Sequence, residues 1–198
     1  MSMLILASAS AIRAKLLREA GVTFGVRRPD IDEEAMKADL HSKNVPVEAV
    51  AAALAEYKAV SVSKASAGAM VLGCDQTLIS EGKLIGKSHD HKECRALLLS
   101  LRGKMHTLTS AVVLARDGVP VWRYEESARL WMREFSEHFL DEYLKSEGGM
   151  VFGSVGCYQL EGRGVQFFER IEGDFFTVLG LPLLPLLAAL REQKVLAP

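Results

Sequence analysis

The N-terminal residues join a short apolar run to a helix through a serine-rich bend, and this order restricts the fold more than any other feature. Residues 4–7 predict a buried strand, Ser10 predicts the N-cap of the following helix, and Gly21 predicts its end. The first N–H groups of a helix lack partners within it and lie at the positive end of its dipole. A strand that enters a helix through two serines therefore predicts an anion site.

Arg13 strengthens this prediction, because it lies on the apolar side of the helix, one turn before Leu17. A guanidinium in that position can bind a phosphate through two parallel hydrogen bonds. A simpler interpretation stays open here. Ser10 only caps the helix, Ser8 is only a loop hydroxyl, and Arg13 extends past the core to water.

The rest of the chain alternates between helical and strand patterns. Strands are predicted at residues 22–28, 69–74, 105–115, 119–135 and 165–171. Helices are predicted at residues 45–64, 90–102, 136–145 and after Pro182. Turns at Glu81-Gly82 and Asp117-Gly118 predict two antiparallel hairpins. The pattern favours an α/β fold with a mixed twisted sheet and flanking helices.

The composition favours a single domain over residues 1–198, since a chain that is 49% hydrophobic can bury one sizeable core. The formal net charge of -1 provides no basic field, so we expect neither nucleic acid nor a membrane as a partner. The apolar run at the N-terminus is too short for a signal peptide or a membrane span. A homodimer stays open.

The three cysteines, Cys74, Cys94 and Cys157, are scattered and form no CxxC pair. Their spacing therefore predicts neither a disulfide framework nor a zinc site. Cys94 falls at helical spacing with leucines and is expected to be an ordinary core residue. From this usage we expect a reducing, cytoplasmic location.

Charged residues in three places are candidates for chemistry. The acidic run of residues 30–34 predicts either a cation site or a solvated loop that leads into a helix. Asp75 follows the predicted strand of residues 69–74 and is the strongest candidate for a catalytic or metal-binding carboxylate, with an Asx turn as the alternative. Lys58 lies beside the apolar stripe of its helix and extends either to solvent or into a cleft. That stripe consists of Val47, Val50, Ala51, Leu54 and Tyr57.

An ordered series of short motifs resembles the Maf family of nucleoside triphosphate pyrophosphatases. Each motif is weak alone, but their order and spacing over nearly the whole chain are specific. The motifs are Ser8-x-Ser10-x-x-Arg13, Asp32-Glu33, Leu54-Ala-x-x-Lys58-Ala59, Gly73-x-Asp75, Gly86-Lys87, Gly162-x-Gly164 and Ile171-x-Gly173 with Val178-Leu-Gly-Leu-Pro182.

The resemblance implies an elongated, two-lobed molecule with a central cleft, related to the inosine triphosphate pyrophosphatases. It implies hydrolysis of a nucleoside triphosphate, modified or non-standard in its base, to the monophosphate and pyrophosphate, which removes such nucleotides from the cellular pool. It also implies a divalent cation, Mg²⁺ or Mn²⁺. The alternative is a non-catalytic, nucleotide-binding regulator of cell division or septum formation, because the family has been linked to that process.

The resemblance also assigns roles to residues. Ser8, Ser10 and Arg13 would bind the phosphates, and Lys58 and Lys87 would neutralise their charge during catalysis. These roles suit the chemistry, because water attack on a triphosphate needs charge neutralisation and precise positioning.

Two carboxylates, Glu33 and Asp75, would hold the cation, since hard divalent cations prefer oxygen ligands. Asp75 would also accept the proton of the attacking water. A carboxylate is a weak base for free water, but a bound cation lowers the pKa of water by several units.

The chain departs from the common family pattern at positions that bear on the base. Ile12 precedes a single arginine where many members have two, Gln76 replaces the threonine that often follows the catalytic Asp, and Ser88 replaces a proline. The residues at positions 76 and 161, Gln76 and Glu161, resemble those of the family branch that hydrolyses 7-methyl-GTP. They differ from the residues of the dTTP/UTP branch. Both are therefore expected to bind the substrate, and a carboxylate at Glu161 suits a guanine N–H edge or a cationic methylated purine.

Overall fold

The computed structural model describes residues 3–197. The strands are β1 (Leu4–Ala7), β2 (Gly25–Val26), β3 (Met70–Ser80), β4 (Lys83–Ile85), β5 (Met105–Arg116), β6 (Val119–Met132) and β7 (Phe168–Glu172). The α-helices are α1 (Ala11–Glu19), α2 (Glu33–Ser42), α3 (Val50–Lys64), α4 (His91–Leu101), α5 (Glu137–Glu147), α6 (Phe175–Val178) and α7 (Leu183–Glu192). Short 3-10 helices cover Val47–Ala49, Gly148–Gly153 and Arg163–Phe167. Within this described part of the chain, no helix is long and apolar enough to cross a membrane.

The strands form one mixed sheet in the order β2-β1-β3-β5-β6-β7, with β4 paired to β3. β1 runs parallel to β2 and β3, and the other pairs are antiparallel. β3 pairs with β1 as far as Gly73 and with β4 from Leu78 onward. Among residues 3–197 the segment between these two points has no strand partner on that side, although β5 pairs with it on the other. The predicted mixed sheet with flanking helices is confirmed.

Helix α3 covers one face of the sheet with a row of small residues. Ala51, Ala55 and Ala59 are fully buried against Ala111 and Val113 of β5. Small side chains on both surfaces let the helix and the sheet approach closely, which fixes the height of the helix above the strands.

The larger core lies on the opposite face, where α1, α4, α5 and α7 pack. β3 and β5 supply Met70, Leu72, Cys74, Val112 and Leu114 to this core. The helices supply Leu17, Leu98, Leu140 and Leu186, among others. Successive residues of β3 and β5 therefore alternate between two buried faces, as expected for a sheet covered on both sides.

The predicted caps and turns are confirmed. The Ser10 side chain accepts a hydrogen bond from the backbone N–H of Arg13 at the start of α1, and Gly21 has a left-handed φ of 72° after its end. Both residues of each hairpin turn, Glu81-Gly82 and Asp117-Gly118, also have positive φ. This is the backbone of a type I′ turn, which matches the twist of the strands it joins.

Several predicted element bounds are wrong. The strand predicted at residues 22–28 shortens to β2, which pairs with β1 only at Ile5 and Leu6. The strand predicted from residue 165 begins at Phe168, after a 3-10 helix. The sequence places Tyr57 on the buried stripe of α3, but Tyr57 is 47% exposed, because the alanine row packs against the sheet instead.

The prediction that Asp75 follows the end of a strand is also wrong. β3 continues through Asp75 to Ser80, since β5 pairs with it from Met70 to Ile79. Asp75 nevertheless lies just beyond the last residue that pairs with β1, at the carboxyl end of the parallel part of the sheet. Open α/β sheets bind ligands at such an edge.

The cysteines also differ from expectation. The sulfur atoms of Cys94, on α4, and Cys157, in the glycine-rich segment of residues 153–164, are bonded to each other, and Cys74 is free and buried. Sequence spacing missed this pair because 63 residues separate its members and only the tertiary fold brings them together. The expected reducing location loses the support that it drew from the absence of a disulfide.

Candidate active site

A cleft of about 1060 Å³ opens at the carboxyl end of β1. Strand β3, the bend before α1, helix α2 and the glycine-rich segment before β7 all contribute to its walls. Every predicted site residue lines this one cleft. They are Ser8, Ser10, Arg13, Glu33, Lys58, Asp75, Gln76, Lys87 and Glu161.

The serine bend, residues 8–10, lines the cleft at the start of α1. Ser8 Oγ accepts hydrogen bonds from the Ser10 backbone N–H at 3.2 Å and from Arg13 Nη1 at 3.3 Å. Ser10 Oγ caps α1 by accepting from the Arg13 backbone N–H at 3.4 Å. Both hydroxyl protons can therefore still be donated to a ligand in the cleft.

Arg13 is only 9% exposed and is held mainly by the protein itself. Its Nε donates to the carbonyl oxygen of Gly180 at 2.8 Å, and Nη1 donates to that of Cys74 at 3.1 Å. Nη2 makes no hydrogen bond within residues 3–197. The arginine therefore ties α1 to β3 and to the Gly180 turn, and it keeps one terminal nitrogen for a ligand.

Three charged side chains from different elements meet at the centre of the cleft. The Lys58 ammonium is 2.7 Å from Glu33 Oε1 and 2.6 Å from Asp75 Oδ1. Lys58 and Asp75 are buried, at 4% and 7% exposure, and the Lys87 ammonium lies 3.8 Å from Glu33 Oε2. One buried cation thus holds two carboxylates together, which offsets part of the cost of removing Lys58 and Asp75 from water.

The sequence of β3 explains how Lys58 reaches Asp75. A Cβ atom at Gly73 would lie 2.2 Å from the Ala55 carbonyl oxygen and 2.6 Å from the Ala59 backbone nitrogen. Only glycine lets α3 approach the strand this closely. Lys58 comes from the turn of α3 between these two alanines, so the same close contact places its ammonium beside Asp75.

Glu33 is the first residue of α2, whose N-cap is Asp32. Burial alone would raise the pKa of Glu33, but the hydrogen bond from Lys58 and the charges of Lys58, Lys87 and Lys37 together hold it below its ordinary value. Glu33 is therefore an anion at neutral pH and can act as a ligand for a cation.

The donor set fits a hard divalent cation that shares its ligands with a substrate. Within residues 3–197, no group of three or more His, Cys, Asp or Glu side chains could form a closed metal site. Glu33 and Asp75 supply two carboxylates, and Mg²⁺-type sites commonly combine one or two carboxylates with phosphate and water oxygens.

Gln76 lines the cleft, as expected of a substrate-binding residue, but its amide nitrogen is bonded within the protein. Its side-chain amide nitrogen donates to Ser110 Oγ at 3.0 Å and to the carbonyl oxygens of Thr177 and Val178 at 3.1 and 2.9 Å. Ser110 Oγ also donates to Thr177 O at 2.8 Å. Gln76 and Ser110 thus fix the α6 turn against the sheet, and only the Gln76 carbonyl oxygen stays available to a ligand.

Sequence reasoning missed three basic side chains that line the cleft, namely Arg28, Lys37 and His41. Glu33, Lys37 and His41 follow one another at intervals of four residues along α2, so they share one face of that helix. That spacing was the available signal. Arg28 had none, because it lies in an irregular segment.

Comparison with known proteins identifies the family of this chain. The chain matches the family described as Maf-like protein over residues 3–193. It is 48% identical over 191 residues to the 7-methyl-GTP pyrophosphatase of Brucella abortus, covering 96% of each chain. It is 52% identical over 186 residues to the nucleoside triphosphate pyrophosphatase of Caulobacter vibrioides, covering 94% of this chain and 93% of that protein. The Neisseria meningitidis lipoprotein GNA1162 matches with a TM-score of 0.29 and 16% identity, over 78% of this chain and 100% of that chain, which carries no argument about the fold.

The match extends over nearly the whole chain and includes every residue of the cleft described above. The protein therefore belongs to the Maf-like protein family.

Proposed function

We propose that this protein is an enzyme that hydrolyses a nucleoside triphosphate to the nucleoside monophosphate and pyrophosphate. The observation that carries the proposal is the buried Lys58 ammonium shared between Glu33 and Asp75, in the same cleft as a helix N-terminus that can bind phosphate. The names of the Brucella and Caulobacter relatives support the same reaction.

The triphosphate would lie between the serine bend and the two lysines. The hydroxyl groups of Ser8 and Ser10 donate hydrogen bonds to phosphate oxygens, next to the positive end of the α1 dipole. Lys58 and Lys87 neutralise the charge that accumulates on the pyrophosphate as it leaves. Arg13 contributes Nη2 to the same phosphates and keeps the serine bend in place.

Glu33 and Asp75 would hold a divalent cation, Mg²⁺ or Mn²⁺. Such a cation neutralises phosphate charge and lowers the pKa of a water molecule that it coordinates. Asp75 uses Oδ1 to accept a hydrogen bond from Lys58, and Oδ2 makes no hydrogen bond within residues 3–197. Asp75 can therefore accept the proton of the attacking water at Oδ2.

We propose a purine of the 7-methyl-GTP type as the base, in preference to dTTP or UTP. Glu161 lies exposed on the glycine-rich segment and lines the cleft, where its carboxylate can accept from a guanine N–H edge. Gln76 supports the base only through its carbonyl oxygen and through the α6 turn that it holds.

A pyrophosphate-release assay with Mg²⁺ or Mn²⁺ tests the reaction and the base together. We expect release from 7-methyl-GTP that exceeds release from dTTP and UTP. Asp75→Asn should abolish turnover while nucleotide binding persists, and Asp141→Asn, a change at an exposed aspartate of α5, should leave turnover unchanged. Activity on dTTP and UTP alone would contradict the proposed base. Tight binding with no turnover by the unchanged protein would favour a non-catalytic regulator.

A further inference from the structure

One wall of the cleft is formed by a segment of residues 153–161 that carries little charge. Gly153, Val155, Gly156 and Leu160 line the cleft from this segment, and Glu161 is its one charged contribution. The serine bend and the lysines, in contrast, provide the positive charge. On the proposed function, the triphosphate occupies the positive end, so the weakly charged segment is a part of the wall that suits a nucleobase.

This segment is held in place by one of its own side chains, Tyr158, which also lines the cleft. Tyr158 is 5% exposed, and its hydroxyl lies 2.7 Å from Nε2 of His106 on β5. The Tyr158 ring also packs edge-on against Phe168 of β7, with ring centroids 4.8 Å apart. A Cβ atom at Gly156 would lie 2.2 Å from the Tyr158 ring. The backbone at Gly156 therefore packs directly against that ring.

His106 is fully buried, and neither the phosphate site nor the charge cluster uses it. Its Nδ1 atom is buried without a hydrogen-bond partner in the described part of the chain. Burial lowers the pKa of His106 to about 4, so the ring is neutral at pH 7. The bond to Tyr158 is therefore the one hydrogen bond that the described structure provides for this imidazole. Losing it would leave a buried polar ring without any partner, which lowers stability.

We infer that His106 is a positioning residue for base recognition, which acts through Tyr158 to hold residues 153–161 in the shape that accepts the base. Neither side chain belongs to the charge cluster at Lys58. Loss of the bond should therefore weaken recognition of the nucleoside part of the substrate and leave the handling of the phosphates intact.

The variant Tyr158→Phe tests this inference with the smallest change, since it removes only the hydroxyl. We expect KM for the preferred nucleoside triphosphate to rise about tenfold, as for the loss of one hydrogen bond with a buried partner, while kcat changes less than twofold. Inorganic tripolyphosphate, which has no base, should inhibit the variant and the unchanged protein equally. Tyr124→Phe, which alters a tyrosine on the exposed part of β6, serves as the matched control and should change neither value.

His106→Leu, which has no polar side-chain atom, should give the same KM increase, and the double variant should be no worse than either single one, because both remove the same bond. An unchanged KM in both single variants would overturn the inference. Equal weakening of tripolyphosphate inhibition would also overturn it, since the effect would then not be specific to the base. If the unchanged protein releases no pyrophosphate, the proposed function fails. Calorimetry then tests this inference separately: the variants should bind 7-methyl-GTP with a larger dissociation constant and bind tripolyphosphate with an unchanged one.

Discussion

The contact between Gly73 and α3 provides a direct test of how the active site is assembled. Gly73→Ala adds a Cβ atom 2.2 Å from the Ala55 carbonyl oxygen, where ordinary contacts begin at 3.4 Å. The neighbouring atoms at 2.2 and 2.6 Å belong to the helix backbone, so a side-chain rotation cannot relieve the clash. The helix must therefore move away from β3 by about 1 Å, since overpacking a core forces the backbone to shift.

Lys58 moves with the helix, and this gives the expected magnitude. Its bond to Asp75 Oδ1 is 2.6 Å long, so a shift of about 1 Å takes it out of hydrogen-bond reach. A displacement of that size at a catalytic group costs about 100-fold in rate. The free energy of unfolding should also fall by about 1–3 kcal/mol, the usual cost of overpacking a core.

The assay compares kcat for pyrophosphate release with the free energy of unfolding in urea. Gly25→Ala is the matched control, because it makes the same change in β2 of the same sheet and meets no atom within 4 Å. It should leave both values near those of the unchanged protein. Adding Ala59→Gly to Gly73→Ala should not restore activity, because that change leaves both backbone contacts in place. A Gly73→Ala protein with unchanged kcat would refute the reasoning.

Two further predictions concern stability and the cysteines. Because burial lowers the pKa of His106 from 6.5 to about 4, the unfolded chain binds a proton there that the folded chain does not. The free energy of unfolding should therefore fall by about 3 kcal/mol between pH 6.5 and pH 4 through this residue, and His106→Gln should remove that part of the slope in urea titrations at each pH. Thiol titration of the denatured, unreduced protein should detect one thiol, Cys74, and reduction should raise the count to three. Burial raises the pKa of Cys74 to about 11, so it should not react in the folded protein.

If the free energy of unfolding of His106→Gln changes with pH as steeply as that of the unchanged protein, the assignment of that ionisation to His106 is contradicted. Three thiols before reduction would contradict the bond between Cys94 and Cys157. In both experiments the same protein in a second condition, another pH or added reductant, serves as its own control.

The sequence predicted local structure well wherever a short stretch contains its own cause. The Ser10 cap, the left-handed Gly21 and both hairpin turns depend on neighbouring residues, and the structure has them all. It predicted less well where a partner strand sets the length of an element. β2 keeps only the two residues that pair with β1, and β3 runs on through Asp75 because β5 pairs with it there.

The candidate site divides in the same way. Its residue types, their order and the family to which they belong could be read from the sequence, because motifs are local and keep their spacing. The sharing of Lys58 by two carboxylates, the use of the Gln76 amide within the protein, and the Cys94–Cys157 and His106–Tyr158 contacts could not. These join residues that are distant in the chain, and side-chain distances of this kind depend on how closely α3 and the glycine-rich segment pack against the sheet. The sequence alone thus determined which groups this protein has for phosphate chemistry, and only the packing around Gly73 and Tyr158 decided which of them meet.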